Sequence, residues 1–235
     1  MTHADLTEPI VAPSPVRSSA SAVSQVLRIY AVVLAVGLCC GLAIVCVFEF
    51  TKTIIARNRA AMRQAAILDV VRGATTNVGY VLDEARDEFK PSGAGADVFA
   101  GFDDAGKLVG LAIEAVGMGY QDNIRVLYGY DPHKQAIVGL KVLESRETPG
   151  LGDRIEKDAK FVANFRALDV TVAGGELAHP IEFVKSGEKS QAWQIDGITG
   201  ATISSEATAM MLRESTSLWM PKIQSQLAAF DQEDR

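Results

Sequence analysis

The stretch IRVLYGYDPHKQAIVGLKV, Ile124 to Val142, sets the character of the middle of the chain. Ile124, Val126 and Tyr128 fall on one face of an extended backbone, an alternation that Leu127 makes imperfect. After the turn around YDPHKQ, Val138, Leu140 and Val142 repeat the pattern. Side chains alternate faces along a strand, so a period of two on both sides of a turn predicts two adjacent antiparallel strands. Further strands are predicted at Lys107 to Val116, Leu177 to Lys185 and Gln191 to Ile195, with a loop over KPSGAGAD, Lys90 to Asp97. Ser204 to about Trp219 reads as a helix, with Pro221 interrupting it before a last short helix. Helices at both ends of a sheet-rich middle indicate an α+β domain with an antiparallel sheet. No internal repeat is visible.

The 235-residue chain is long enough for one or two domains, but its apolar residues are unevenly spread. Ile29 to Phe48, IYAVVLAVGLCCGLAIVCVF, runs 20 residues without a charge between Arg28 and Glu49. As a helix this covers ~30 Å, the thickness of a bilayer's hydrocarbon core. A signal peptide has a shorter apolar centre and a small-residue cleavage site, and here a largely polar stretch of 28 residues comes first. An uncleaved transmembrane helix over 29–48 is therefore preferred to a signal peptide or a buried core helix. Residues 1–28, centred on VAPSPVRSSASAVS, read as a loosely held tail. Residues 49–90 are assigned to a helical stalk and the start of a soluble domain, with Thr51 to about Val71 helical. Residues 91–235 are assigned to the rest of that domain.

Charge and cysteine content exclude several functions. Cys39, Cys40 and Cys46 all lie in the apolar run, leaving no thiol elsewhere for a disulfide, a metal or a nucleophile. Beyond Phe48 there are 21 Lys and Arg (23 less Arg17 and Arg28) against 27 acids (29 less Asp5 and Glu8). That net charge of minus six, without a basic stripe, argues against nucleic acid as a partner. His3, His133 and His179 lack metal-ligand spacing, and no nucleophile, His and acid fall in a recognisable catalytic order. Neither a GxGxxG run opening a helix nor a Gly-Lys-Ser/Thr phosphate loop is present. Topology is less definite. Lys52, Arg57, Arg59 and Arg63 follow the apolar run and only Arg17 and Arg28 precede it, which leans toward a cytoplasmic C-terminal part, although long domains translocate regardless of such charges.

Two loops carry the candidate chemistry. In QIDGITGATISSEAT, Gln194 to Thr208, Gly197 and Gly200 allow a tight turn after a strand. Ser204 or Ser205 can cap the following helix, with Glu206 in its first turn. On that reading Thr202 is a turn residue; on the other, its hydroxyl is held at the mouth of a helix for chemistry or phosphate binding. In RETPGLGDRI, Arg146 to Ile155, Pro149 fixes φ, Gly150 and Gly152 permit close approach of the backbone, and Thr148 and nearby amides can meet a polar ring edge. A rigid exit from a hairpin is the plainer account of the same residues.

Taken together, these stretches resemble the G subunit of the Rnf electron transport complex, a membrane-anchored flavoprotein. They resemble more distantly the C subunit of the sodium-translocating NADH:quinone reductase. The likeness runs from the apolar helix to the C-terminal helix, includes Gly119 to Phe165, and is most specific at DGITGAT, Asp196 to Thr202. It implies that Thr202 carries FMN through a phosphoester made by a separate flavin transferase. Asp196, Thr199, Gly200 and Ala201 fall on the recognition positions, and the loop of Glu147, Thr148, Gly150, Leu151 and Gly152 would embrace the flavin ring. The resemblance further implies an electron-transfer subunit of an ion-translocating ferredoxin:NAD oxidoreductase, with no catalytic residue, metal or independent turnover of its own. Its partners would be the other subunits of an Rnf-type complex. Its place would be the bacterial cytoplasmic membrane, with the soluble domain on the periplasmic side, against the lean of the charges. The alternatives are membership of the quinone reductase, a membrane-tethered assembly or binding protein without redox function, and a free-standing extracytoplasmic flavin reductase.

Overall fold

A computed structural model describes residues 19–83, 85–93 and 95–230. These fall into two units, divided between Arg57 and Asn58. Helix α1, Ser19–Val70, begins in the first and ends in the second. In the first unit the helix is apolar and exposed all round, with Leu34, Leu38 and Ile44 each about 70% accessible. Its most apolar 18-residue window has a mean hydropathy of 2.9 and none of it is covered by protein. A continuous apolar surface of that length finds its stable surroundings in a bilayer, so this segment anchors the protein to a membrane. The residues before Ser19 lie outside the description; those from Ser19 to Arg28, assigned to the tail, are helical.

The second unit is built on a seven-stranded antiparallel sheet. Its strands are β1 Thr76–Asp83, β2 Glu88–Pro91, β3 Val98–Phe102, β4 Leu108–Met118, β5 Asn123–Asp131, β6 Ala136–Glu144 and, after the short helices α2 Arg154–Lys157 and α3 Ala159–Ala163, β7 Leu168–Asp169. The order across the sheet is β2-β1-β3-β4-β5-β6-β7. The predicted hairpin is β5–β6, with Tyr128 opposite Leu140 and Val126 opposite Val142. Ile124, Val126 and Tyr128 are buried in the main core, toward helix α4, Thr202–Ser225. Leu127 broke the alternation because the opposite face is covered too: it is buried with Ala112 beneath Ala66, Ile67, Val70 and Val71, at the end of α1. That helix end sits so close to the sheet that a Cβ on Gly129 would lie 2.2 Å from the Val70 carbonyl oxygen.

The α+β expectation therefore holds, with four local corrections. The strand expected over Leu177 to Lys185 is two pieces, β9 Glu176–Leu177 and β10 Glu182–Val184. Pro180 stands between them without an N–H to give to a ladder. β9 pairs with β8, Val172–Ala173, while β10 pairs in parallel with β11, Gln194–Asp196, all that forms of the strand expected from Gln191. Helix α4 starts at Thr202 and passes through Pro221 to Ser225. An interior proline costs about 3 kcal/mol. The fully buried Met220 and Ile223 flank it, and burial of each side chain contributes about 1.5–3 kcal/mol, enough to keep the helix going. Lys90 and Pro91, read as loop, close β2.

Candidate functional site

Strand β11 delivers the chain to Asp196, and a tight turn then carries it into α4. Within that turn the Ala201 amide donates to the Ile198 carbonyl at 3.0 Å, and Gly200 takes φ +85°, a conformation that side-chain-bearing residues avoid. Ser205 stitches turn to helix: its hydroxyl accepts from the Ile198 amide at 3.2 Å and donates to the Ala201 carbonyl at 2.7 Å. Neither Ser204 nor Ser205 is the expected cap. The helix begins earlier, with Ala201 at the cap position and no side chain bonding the first amides, and Glu206 lies beyond the first turn. Ser205 is drawn back into the turn, and Ser204 is turned inward.

Ser204 meets the second loop there. Its hydroxyl donates to Glu147 Oε2 in a short hydrogen bond, while Glu147 Oε1 accepts from the Gln121 amide at 3.0 Å. The buried Glu147 carboxylate, only 6% exposed, thus ties α4 to the β4–β5 connection. Thr148 donates to the Gln121 side-chain oxygen at 3.2 Å. A Cβ on Gly152 would lie 2.3 Å from Glu147 Oε2 and 2.7 Å from Ser204 Oγ, so close packing demands glycine there. Gly150 serves a different need. Its φ is +78°, its amide donates to Asp153 Oδ1 at 2.7 Å, and a Cβ would touch nothing. The bond from Lys157 is the main influence holding the Asp153 carboxyl below its ordinary range, and the Gly150 amide adds to it.

The two loops enclose a cleft of about 290 Å³. Glu147, Thr148, Leu151 and Gly152 line it from one side, Gly200 to Ser204 from the other, and Tyr120 closes it. Thr202 stands at the uncapped start of α4, exposed, with the apolar side chains of Tyr120, Leu151 and Ile203 more than half accessible around the opening. Among the residues singled out from the sequence, Gly150 stands outside this lining. Asp196 and Thr199 line a second hollow of about 420 Å³, beside Arg154, Asp158 and Lys160. Sequence reasoning missed Tyr120, Ile203 and Ser204 as lining residues. Tyr120 lay inside the stretch that carried the family likeness, whereas Ser204 had been given a capping role that would have turned it away.

Residues 119–217, a stretch that includes both loops, match the FMN-binding domain family. The chain is similar to proteins named as the G subunit of an ion-translocating oxidoreductase complex. One, from Shewanella piezotolerans, is 32% identical over 123 residues, 52% of this chain and 54% of the relative. Another, from Methanosarcina acetivorans, is 34% identical over 117 residues, 50% of this chain and 55% of the relative. The chain thus spans about half the length of the curated relatives it matches. Among solved structures it is similar to Shewanella oneidensis NqrC, with a TM-score of 0.54 at 19% identity over 74% of this chain and 96% of that one. It is also similar to the C subunit of the Na(+)-translocating NADH-quinone reductase of Parabacteroides distasonis, with a TM-score of 0.52 at 25% identity over 65% and 79% of the two chains. The first of these likenesses bears on the fold alone. The resemblance read from the sequence is borne out by the FMN-binding domain and by relatives that bear the G subunit's name.

Proposed function

We propose that this protein is a membrane-anchored electron carrier whose FMN is joined by a phosphoester to Thr202, acting as the G-type subunit of an ion-translocating oxidoreductase complex. The observation that carries the reading is the meeting of two loops far apart in sequence around one cleft, with the Thr202 hydroxyl at its mouth. The residues present fit the group. A phosphate on Thr202 would stand at the start of a 24-residue helix whose first amides no side chain caps, where negative charge is favoured. Leu151, Ile203 and Tyr120 offer apolar surface to a ring system, while Thr148 and Glu147 supply polar edges. At about 290 Å³ the cleft lies just below the ~300–1,000 Å³ usual for ligand pockets, which leaves part of a bound ring open to a redox partner. Bound FMN would supply the electron-transfer chemistry, and the chain would supply attachment, orientation and polarity.

Attachment is a group transfer. Thr202 Oγ displaces the leaving group on the flavin phosphate of an activated donor such as FAD: the Oγ–P bond forms, the pyrophosphate P–O bond breaks and AMP departs. The hydroxyl proton passes to a base on the flavin transferase. Thr202 is then an anchor rather than a turnover nucleophile, and the protein has no reaction of its own apart from the complex. Its partners are the other subunits of an Rnf-type assembly and, during maturation, the transferase. The domain works on the extracytoplasmic side of a bacterial cytoplasmic membrane, with residues 29–48 in the bilayer, 49–90 forming the helical stalk and the start of the domain, and 91–235 completing it. The sequence relatives favour the G-type complex over a quinone reductase, whose C subunits share the fold. Thr202→Val keeps the branched volume and removes the acceptor oxygen. Coexpressed with a transferase, the wild-type chain should retain flavin fluorescence through denaturing electrophoresis and the variant should retain none. Equal fluorescence in both would overturn the attachment.

A further inference from the structure

The segment running on from the end of the first loop, residues 154–166, takes hold of the attachment motif by its main chain, and neither of the side chains that does so lines the flavin cleft. At the motif's start is Asn164, 5% exposed. Its Nδ2 donates to the Asp196 carbonyl at 3.0 Å and its Oδ1 accepts from the Asp196 amide at 3.1 Å. The carboxamide thus pairs with Asp196 as a neighbouring strand would. Its remaining valences are used as well: Nδ2 also donates to the Phe161 carbonyl at 3.0 Å, and Oδ1 also accepts from Lys189 Nζ at 3.1 Å. An asparagine side chain has two donors and two acceptor positions, so all four are met. Because Lys189 can only donate, it also fixes which way round the amide stands.

Three residues further along the motif, Thr199 is held by Arg154. One guanidinium nitrogen donates to the Thr199 carbonyl at 2.7 Å and the other to Asp158 Oδ2 at 3.0 Å. Asp158 is itself held, since its Oδ1 accepts from the Lys160 and Phe161 amides at the start of α3. The arginine therefore reaches the motif from a fixed carboxylate. A Cβ on Gly200, the residue in the left-handed conformation, would meet Arg154 Nη1 at 3.7 Å, so the guanidinium lies directly against the turn. Fixing Asp196 and Thr199 at their main-chain atoms leaves little freedom for the residues between them, and Thr202 follows that turn immediately.

We infer that Asn164 and Arg154 are positioning residues for flavin attachment: they hold Asp196 to Gly200 in the one conformation that presents Thr202 to the transferase. The inference rests on the attachment reading above. It has a kinetic signature. If only a fraction of the chains present the motif correctly, the apparent affinity of the transferase for its acceptor falls by that fraction, while the rate at saturation is kept. Losing one hydrogen bond from a charged donor should cut that fraction about tenfold.

The test uses the full chain in lipid nanodiscs, a purified flavin transferase and FAD, with transfer rates measured against acceptor concentration. Arg154→Ala should raise KM for the acceptor about tenfold and leave kcat within about twofold. Arg154→Lys keeps the charge but reaches only one of the two partners, and should fall in between. Arg166→Ala, on an exposed arginine of the same segment, should match the wild type. Hydrogen exchange at the Gly197 amide, bonded to the Val184 carbonyl of β10, and at the Ala201 amide, bonded to Ile198 within the turn, should speed up in Arg154→Ala without a matching change at β4 or β5. A folded Arg154→Ala chain with wild-type KM overturns the inference, whatever its unfolding midpoint. So does a loss in kcat alone, which would place the arginine in the transfer chemistry. Asn164 is buried, and Asn164→Asp keeps both acceptor bonds while turning a carboxylate oxygen toward the Phe161 and Asp196 carbonyls in place of both donor bonds; an unchanged KM there removes Asn164. A wild-type chain that accepts no flavin sinks the attachment reading itself, and this inference with it.

Discussion

Gly152→Ala perturbs the point where the two loops close on each other. The added Cβ would lie 2.3 Å from Glu147 Oε2, 2.7 Å from Ser204 Oγ and 2.8 Å from Glu147 Cβ, and none of these separations is tolerable between real atoms. Two responses are open. Loop and helix move apart, at the usual overpacking cost of about 1–3 kcal/mol. Alternatively the Glu147 side chain swings away and its hydrogen bond from Ser204 is lost, worth about 1.5–3 kcal/mol for a charged acceptor. The cheaper response sets the loss, so the domain should lose about 2–3 kcal/mol. With an m-value of about 2 kcal/mol/M, the urea midpoint then falls by roughly 1–1.5 M. Trp193 and Trp219, the only tryptophans, report the transition by fluorescence in the full chain. Gly150→Ala is the companion. Its Cβ meets nothing, so it should show only the left-handed backbone cost of about 1–2 kcal/mol. A Gly152→Ala midpoint within about 0.3 M of wild type, or a larger loss at Gly150, would refute the packing argument for the cleft.

Three further outcomes are expected. Gly129→Ala puts a Cβ 2.2 Å from the Val70 carbonyl oxygen, a main-chain atom, and should destabilise the domain by at least about 3 kcal/mol; a near-neutral effect in chemical denaturation would show that the end of α1 does not seat on the sheet. Asp158 has its carboxyl held below the usual range, first by the Phe161 amide and then by Arg154 and Lys160, so its contribution is present above the ordinary carboxylate pKa and is lost as pH falls through the depressed one. Asp158→Ala should cost about 1 kcal/mol at pH 7 and progressively less below about pH 4, and a difference between the two unfolding curves that does not change with pH would contradict the assignment. Ala105→Cys, on the exposed β3–β4 turn of a chain whose Cys39, Cys40 and Cys46 are alanine, should be labelled in intact cells by a membrane-impermeant thiol reagent, with the outer membrane permeabilised where there is one. Protection until the cytoplasmic membrane is broken would place the domain inside, as the basic flank of Lys52 to Arg63 leans.

The sequence was most legible where one periodicity had one cause. Alternation at Ile124, Val126 and Tyr128 located β5 because its α4-facing side is buried along its length, and the single exception, Leu127, marked a second covered face. The same signal was present in β1, where Val78, Tyr80 and Leu82 alternate, but the glycine- and proline-bearing stretch that follows drew the reading toward a loop. Pro221 misled because tertiary burial of Met220 and Ile223 outweighs a local penalty, which propensity alone cannot foresee. Both loops of the site were visible as glycine-rich turns. Their meeting was implied by the family resemblance but could not be read from the residues themselves, because it depends on a carboxylate at Glu147 reaching a hydroxyl 57 positions away. Arg154 and Asn164 escaped notice for a related reason: they act on main-chain atoms, which leave no mark in the sequence at the positions they hold.

The attachment of FMN to Thr202 is tested most directly by locating the adduct. Trypsin cleaving after Lys189 and Arg213 releases Ser190 to Arg213, a peptide that carries the hydroxyls of Ser190, Thr199, Thr202, Ser204, Ser205 and Thr208. Thr202 is exposed at the cleft, whereas Ser204, Ser205 and Thr208 are buried with their hydroxyls already donating to Glu147, Ala201 and Ser204. Tandem mass spectrometry of that peptide, from chain matured with the transferase, should place one FMN on Thr202 and leave the other five hydroxyls unmodified. An adduct on Thr199 or on a serine, or an unmodified peptide from fully active complex, would contradict the account.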